Sequence, residues 1–269
     1  MDKKFFLKPW LRNNLKKILP EGAISALRRI QNFFYSHTKF SYDKAQKYEL
    51  EHSIYSLKRN EIHFENAYSV FEYSRKNTLF DSDFGAATLF FNKDIKQWEK
   101  FCQEIKDKIC LEIGSGPMGL LTGWHWIRNR IIIDPLVIEF KKTSLEVFGK
   151  TFLTDDIKLY SQKAEIFIKD LDNKINGCII STNALDHSEN PILVLKNISK
   201  YAASGCLFFF WSTLYYPKGH NEGHRNVIES KEKFEKLLYK LGFKIISVVS
   251  EDVLPKNDDL VYGCIAIKI

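Results

Sequence analysis

From residue 108 onward, short apolar runs alternate with helical stretches, and this alternation constrains the fold more than any other feature of the chain. The runs are "KICLEIG", "RIIIDPL", "IKLYSQ", "GCIISTN", "CLFFFWST", "FKIISVVSE" and "YGCIAIKI". They are rich in β-branched and aromatic residues, which suit a pleated, buried surface. Helical stretches between the first five predict a parallel, doubly wound α/β sheet of Rossmann-like type with helices on both faces. Two further strands close it at its C-terminal end. Ligands of such sheets bind beyond the carboxyl ends of the strands, so the loop after the first strand is the place to look.

That loop lies in "CLEIGSGPMG", where Gly114 to Gly119 spell G-x-G-x-x-G. The spacing is shared with dinucleotide-binding loops, in which a pyrophosphate sits on backbone N–H groups and a helix N-terminus. Glu112 argues against a pyrophosphate, because it sets an anion two residues before Gly114. A carboxylate there suits a ligand with a cationic ammonium and a sulfonium, which is S-adenosylmethionine. Gly114 and Gly116 let the backbone approach such a ligand, and Pro117 fits the first turn of the next helix. The second run ends in Asp134, placed to accept hydrogen bonds from a ribose diol. Nicotinamide enzymes share this last feature, so it supports an adenosine-type ligand without choosing one.

The fourth run continues as "STNALDHSENP", in which Asn183, Leu185, His187 and Pro191 form N-x-L-x-H-x-x-x-P. With E-x-G-x-G at Glu112 to Gly116, the chain from about residue 105 to 269 resembles the class I S-adenosylmethionine-dependent methyltransferases. The stretch "KFEKLLYKLGFKIISV" looks like that family's helix and G-F turn before strand six. The resemblance implies that Glu112, Gly114 and Gly116 line the methionine end of the cofactor and that Asp134 holds the ribose. It further places Ala164 and Glu165 near the adenine and Asn183 beneath the methionine moiety. Pro135 departs from the family pattern, leaving Leu136 or Ile166 to wall the adenine.

Methyl transfer to an alcohol also requires a proton acceptor or a metal. Candidates cluster after the fourth run, at Asp186 and His187, and after the fifth, where "YPKGHNEGHRN" carries His220 and His224. The favoured base is His220 or His224, with His187 as a brace for its loop. A metal held by Asp186 with these histidines lacks a recognised ligand spacing, so no metal is expected. Trp211, Tyr215 and Tyr216 stand where they can stack on a sugar or pack in the core.

The chain has 269 residues, enough for one full-sized core with an appendage. The expected division is a basic amphipathic helical extension over 1–60, an aromatic-rich cap over 61–104 and the catalytic domain over 105–269. Net charge is +7, of which residues 1–34 supply +6 through eight basic and two acidic side chains. The basic character therefore belongs to this segment, which argues against a nucleic-acid groove on the domain. Its two amphipathic stretches suit either a packed helical cap or a peripheral contact with an anionic membrane. Five cysteines without C-x-x-C spacing read as small buried hydrophobes. No signal-peptide core or membrane span is evident, and a cytoplasmic location is the default. The leading expectation is O-methylation of a sugar or glycan in cell-surface polysaccharide biosynthesis. A small-molecule or lipid O- or N-methyltransferase and a cofactor-binding regulatory subunit are the alternatives.

Overall fold

A computed structural model describes residues 42–59, 65–66, 68, 90–92, 94–216, 224–249 and 260–269. The basic segment 1–34 and His220 lie outside these residues. All seven expected strands are present, as β1 (Ile109–Ile113), β2 (Asn129–Ile133), β3 (Ile157–Tyr160), β4 (Cys178–Thr182), β5 (Leu207–Tyr215), β6 (Phe243–Val248) and β7 (Leu260–Lys268). They form one sheet in the order β3-β2-β1-β4-β5-β7-β6. The pairs joining β1 to β5 are parallel, whereas β7 is inserted antiparallel between β5 and β6.

The pleat sorts the apolar runs onto two faces. Leu111, Ile113, Ile131, Ile133, Ile179, Phe208 and Phe210 point to one core. This core is covered by α5 (Pro191–Tyr201) and α6 (Lys231–Lys240), through Val194, Leu195, Ile198 and Tyr201 and through Phe234 and Leu238. Cys110, Cys178, Ile180 and Phe209 point to the opposite face, where α2 (Ile95–Ile105) lays Trp98, Phe101, Cys102 and Ile105 against Trp124. On this second face Ile132 packs with Val137 and Phe140 of α4 (Val137–Phe148). All five cysteines are buried and unpaired.

Local chemistry sets the helix ends. Asp94, Asn190 and Ser230 cap α2, α5 and α6 by accepting the N–H of Gln97, Leu193 and Lys233. Pro191 occupies the first turn of α5, where its missing N–H costs nothing. Two connections depart from the sequence expectation. After β1 there is a 3₁₀ turn at Gly116–Met118 and a four-residue α3 (Leu120–Gly123), and between β3 and β4 only a 3₁₀ turn at Lys169–Leu171. The second segment is rich in Asp and Asn, with Asn173 at φ +53, and such residues favour local turns over helix. The expected boundary at 104 falls at the end of α2, a helix packed on the sheet itself. One further helix, α1 (Tyr42–Arg59), precedes these elements and touches α4 and the Leu185–His187 turn.

Candidate active site

The carboxyl ends of β1, β2 and β4 open into a cavity of about 610 Å³, counting the part open to solvent. This is the size range of small-molecule and cofactor sites. Gly114, Gly116, Asp134, Ala164, Glu165 and Asn183 all line it, so the structure brings together six of the seven residues expected to hold a cofactor. Gly114 has φ +71, and a Cβ there would lie 2.4 Å from that of Ala184. Gly116 has φ +58, with no atom within 4 Å of where a Cβ would stand. Its glycine is thus needed for the backbone conformation, and it leaves the cavity floor clear. Asn183 also adopts a left-handed conformation, φ +51, which Asn tolerates better than most residues.

Asp134 is 5% exposed and locked by its neighbours. Its Oδ2 accepts the Gly116 N–H at 3.0 Å and its Oδ1 the Leu136 N–H at 2.8 Å. Burial raises its pKa against the pull of these two amides, and the charges of Glu49 and Glu139 add to the rise. On the other side of the cavity, Asn197 of α5 donates to the carbonyls of Ala164 and Glu165, both at 2.9 Å, and so fixes the β3–β4 connection. Leu136 lines the cavity beside Pro135, whereas Ile166 is 54% exposed and outside it.

Glu112 is the exception. It is fully buried and outside the cavity lining, and its carboxylate is turned to the N-terminus of α3. There it accepts the Leu120 N–H at 3.0 Å and the Leu121 N–H at 2.8 Å. Glu112 thus does not line the cavity, where the expectation set it at the methionine end: its carboxylate is taken up by two orphan amides of a short helix. Gly119 is glycine for the same reason, since a Cβ there would stand 2.6 Å from Glu112 Oε2. The other end of α3 is held by buried Arg130, which donates to the carbonyls of Leu121 and Thr122 and pairs with Asp156. Burial pushes the Glu112 carboxyl up to about 7, despite the bonds from Leu121 and Leu120.

Beyond β4 the two groups of catalytic candidates meet. Asp186 is fully buried, and its Oδ1 accepts from Ser212 Oγ at 3.0 Å. Its Oδ2 accepts from Tyr216 OH at 2.5 Å and lies 2.8 Å from His224 Nδ1. Burial would raise the Asp186 pKa, but the His224 hydrogen bond, the charges of His187 and His224, and the Tyr216 hydroxyl together hold it below the usual range. The imidazole of His187 lines the cavity and packs at 4.2 Å, centroid to centroid, on that of His224, the two rings tilted by 53°. Ligand atoms of Asp186, His187 and His224 lie within 4.8 Å of one another, close enough to share a divalent ion. Of the aromatic candidates, Trp211 packs against the second core and Tyr216 is engaged with Asp186.

The sequence reading put α1 within the helical extension 1–60 but did not foresee that it lines the site. Tyr42, Gln46 and Glu49 share one face of this helix and line the cavity. Lys163 lies 3.7 Å above the Tyr42 ring, and Glu49 Oε2 is 3.7 Å from His187 Nδ1. Burial, then the charges of Glu165, Asp134, Glu189 and Asp43, push the Tyr42 hydroxyl far above its ordinary pKa. Only the spacing of 42, 46 and 49 hinted at a shared face, and a solvated helix face has the same spacing.

The sequence matches no protein-family model and no curated protein. Among solved structures, it is similar to the CurJ carbon methyltransferase, at 16% identity and TM-score 0.44, over 61% of this chain and 49% of that one. It is similar to the CalH trans-methyltransferase in complex with SAH, at 13% identity and TM-score 0.46, over 63% of this chain and 54% of that one. The chain therefore spans about half the length of these two. A third likeness is to a SAM-dependent methyltransferase from Aquifex aeolicus, at 14% identity and TM-score 0.46, over 69% of this chain and 93% of that one.

Proposed function

We propose that this protein is an S-adenosylmethionine-dependent methyltransferase that O-methylates a sugar or glycan hydroxyl. The observation that carries the reading is a juxtaposition. A cavity floored by Gly116 and edged by Asp134 shares a wall, His187, with the pair made by buried Asp186 and half-buried His224.

When bound, S-adenosylmethionine supplies an electrophilic methyl group. Asp134, already oriented by two amides, offers its remaining lone pairs to the ribose diol. Ala164 and Glu165 would flank the adenine with Leu136, and Gly114, Gly116 and Asn183 would border the methionine end. Asp186 fixes the proton of His224 on Nδ1 and leaves Nε2 as a lone-pair acceptor, and the buried carboxylate stabilises the imidazolium that follows. An acceptor hydroxyl presented beside His187 would lose its proton to this pair as its oxygen takes the methyl group. The sugar or glycan acceptor is supported by the candidate base, which a hydroxyl acceptor requires. The basic segment 1–34 would hold the protein at an anionic membrane face where such glycans are built.

Calorimetry tests the cofactor: S-adenosylmethionine and S-adenosylhomocysteine should bind, and NAD should not. Tight NAD binding without response to the methyl donor would overturn the reading. Incubation with labelled methyl donor and cell-envelope fractions tests the acceptor, and label appearing only in small amines or lipids would reject the glycan. Vesicle sedimentation tests the basic segment, whose binding to anionic lipid should fall steeply with salt.

A further inference from the structure

We propose that Glu49, on α1, is the counter-charge for the sulfonium of the bound methyl donor. The inference rests on the cofactor reading above and assigns a residue that the sequence motifs do not reach. A sulfonium is a permanent cation flanked by carbon, so it gains from a nearby carboxylate that it does not hydrogen-bond.

Glu112, the acid that the motif supplies, is spent on the N-terminus of α3 and lies outside the cavity. Among the described residues three carboxylates line the cavity, namely Asp134, Glu165 and Glu49. Both oxygens of Asp134 already accept backbone amides, which orients it for the ribose. Glu165 accepts the Asn190 N–H at 3.0 Å, beside the Tyr42 end of the cavity. Glu49 comes from α1, which touches the Leu185–His187 turn, and it is coupled both to that turn and to the ribose acid. Its Oε2 stands 3.7 Å from His187 Nδ1, and its charge reaches Asp134 strongly enough to raise that carboxyl's pKa. The sulfonium of a donor whose ribose sits on Asp134 and whose methyl group points to the Asp186 turn must lie between these two. One turn earlier, Gln46 lines the same cavity, and its Oε1 is buried without a hydrogen-bond partner among the described residues. A buried acceptor of that kind suits a ligand carrying N–H groups.

The assignment has a consequence for turnover. Methyl transfer converts the sulfonium to a neutral thioether, so the attraction from Glu49 is present for the donor and absent for the product. Glu49 thus favours exchange of spent for fresh cofactor, and it contributes nothing to affinity for the product.

The test compares donor and product on full-length wild type, Glu49→Gln and Glu49→Asp by calorimetry. Glu49→Gln should lose about fivefold to tenfold in S-adenosylmethionine affinity, while S-adenosylhomocysteine affinity stays within about twofold. Glu49→Asp, which keeps the charge, should preserve most of the donor's advantage. An equal loss for both ligands would mean that Glu49 only braces His187, and no loss for either would mean that it does not meet the ligand. Either result overturns the assignment. Failure of wild type to bind both ligands would instead reject the cofactor reading. Circular dichroism of each variant keeps unfolding from being scored as a binding loss, and if Glu49→Gln unfolds, the donor-to-product ratio of Glu49→Asp against that of Glu49→Ala decides.

Discussion

Glu112 couples the glycine loop to pH. In the unfolded chain its pKa is near 4.5, and burial in the folded protein moves it to about 7. Between these values the folded state holds a proton that the unfolded state has released, so stability is fully present below pH 4.5 and is lost as pH rises through about 7. The size of the loss is roughly 3 kcal/mol. Urea denaturation across pH 5 to 8 should show this decline in wild type and a flatter profile in Glu112→Gln, and parallel profiles would exclude Glu112 as the source. The glycines divide by the same geometry. In Gly119→Ala the new methyl group collides with Glu112 and Ser115, at a cost of about 1–3 kcal/mol in stability. Gly116→Ala meets no protein atom but must hold φ +58, at a cost of about 1–2 kcal/mol, and its methyl group enters the cavity. Melting temperature should fall in both variants, while cofactor affinity should fall far more in Gly116→Ala.

At the scale of elements, the connection between β3 and β4 bears on the cofactor because α5 ties it down. Asn197 is nearly fully buried and is bonded to two carbonyls of that connection. Asn197→Ala should cost about 2 kcal/mol in stability by leaving these acceptors unpaired. It should also weaken cofactor binding through Ala164 and Glu165, and an unchanged affinity in a destabilised variant would mean that the connection holds its shape without α5. The seven strands were legible because a pleated run sandwiched between two cores leaves a continuous apolar signature, as in Phe208 to Phe210. The helix α6 was equally plain, in the run "KFEKLLYKLGFKIISV". The missing helix before β4 was not, because Asp and Asn choose between helix and local turns according to their tertiary neighbours. Nor was the use made of Glu112, since a carboxylate beside a cavity and one on a helix end carry the same letter. Gln46 and Glu49 were hidden by their polarity, which reads as a solvated face until the sheet is placed beneath it.

The whole molecule is needed to assemble the site, because Asp186 follows β4, His224 follows β5 and Glu49 comes from α1. His224→Ala should reduce turnover about a hundredfold while leaving donor affinity nearly unchanged, and Asp186→Asn should act in the same direction. If His224→Ala keeps full activity and His187→Ala abolishes it, the base is the cavity-facing histidine. Activity that disappears with a chelator and returns with a divalent ion would show instead that the three side chains act through a metal. The antiparallel insertion of β7 between β5 and β6 also dictates an order of assembly. β6 emerges before β7 yet, among the described residues, pairs with β7 alone, so residues 243–248 wait as a solitary strand until 260–268 have been threaded beside β5. Until then the Phe208–Phe210 stretch is an open edge. Pulsed hydrogen exchange should show β6 amides protected last, and a chaperone that holds the nascent chain would find its target at this open edge.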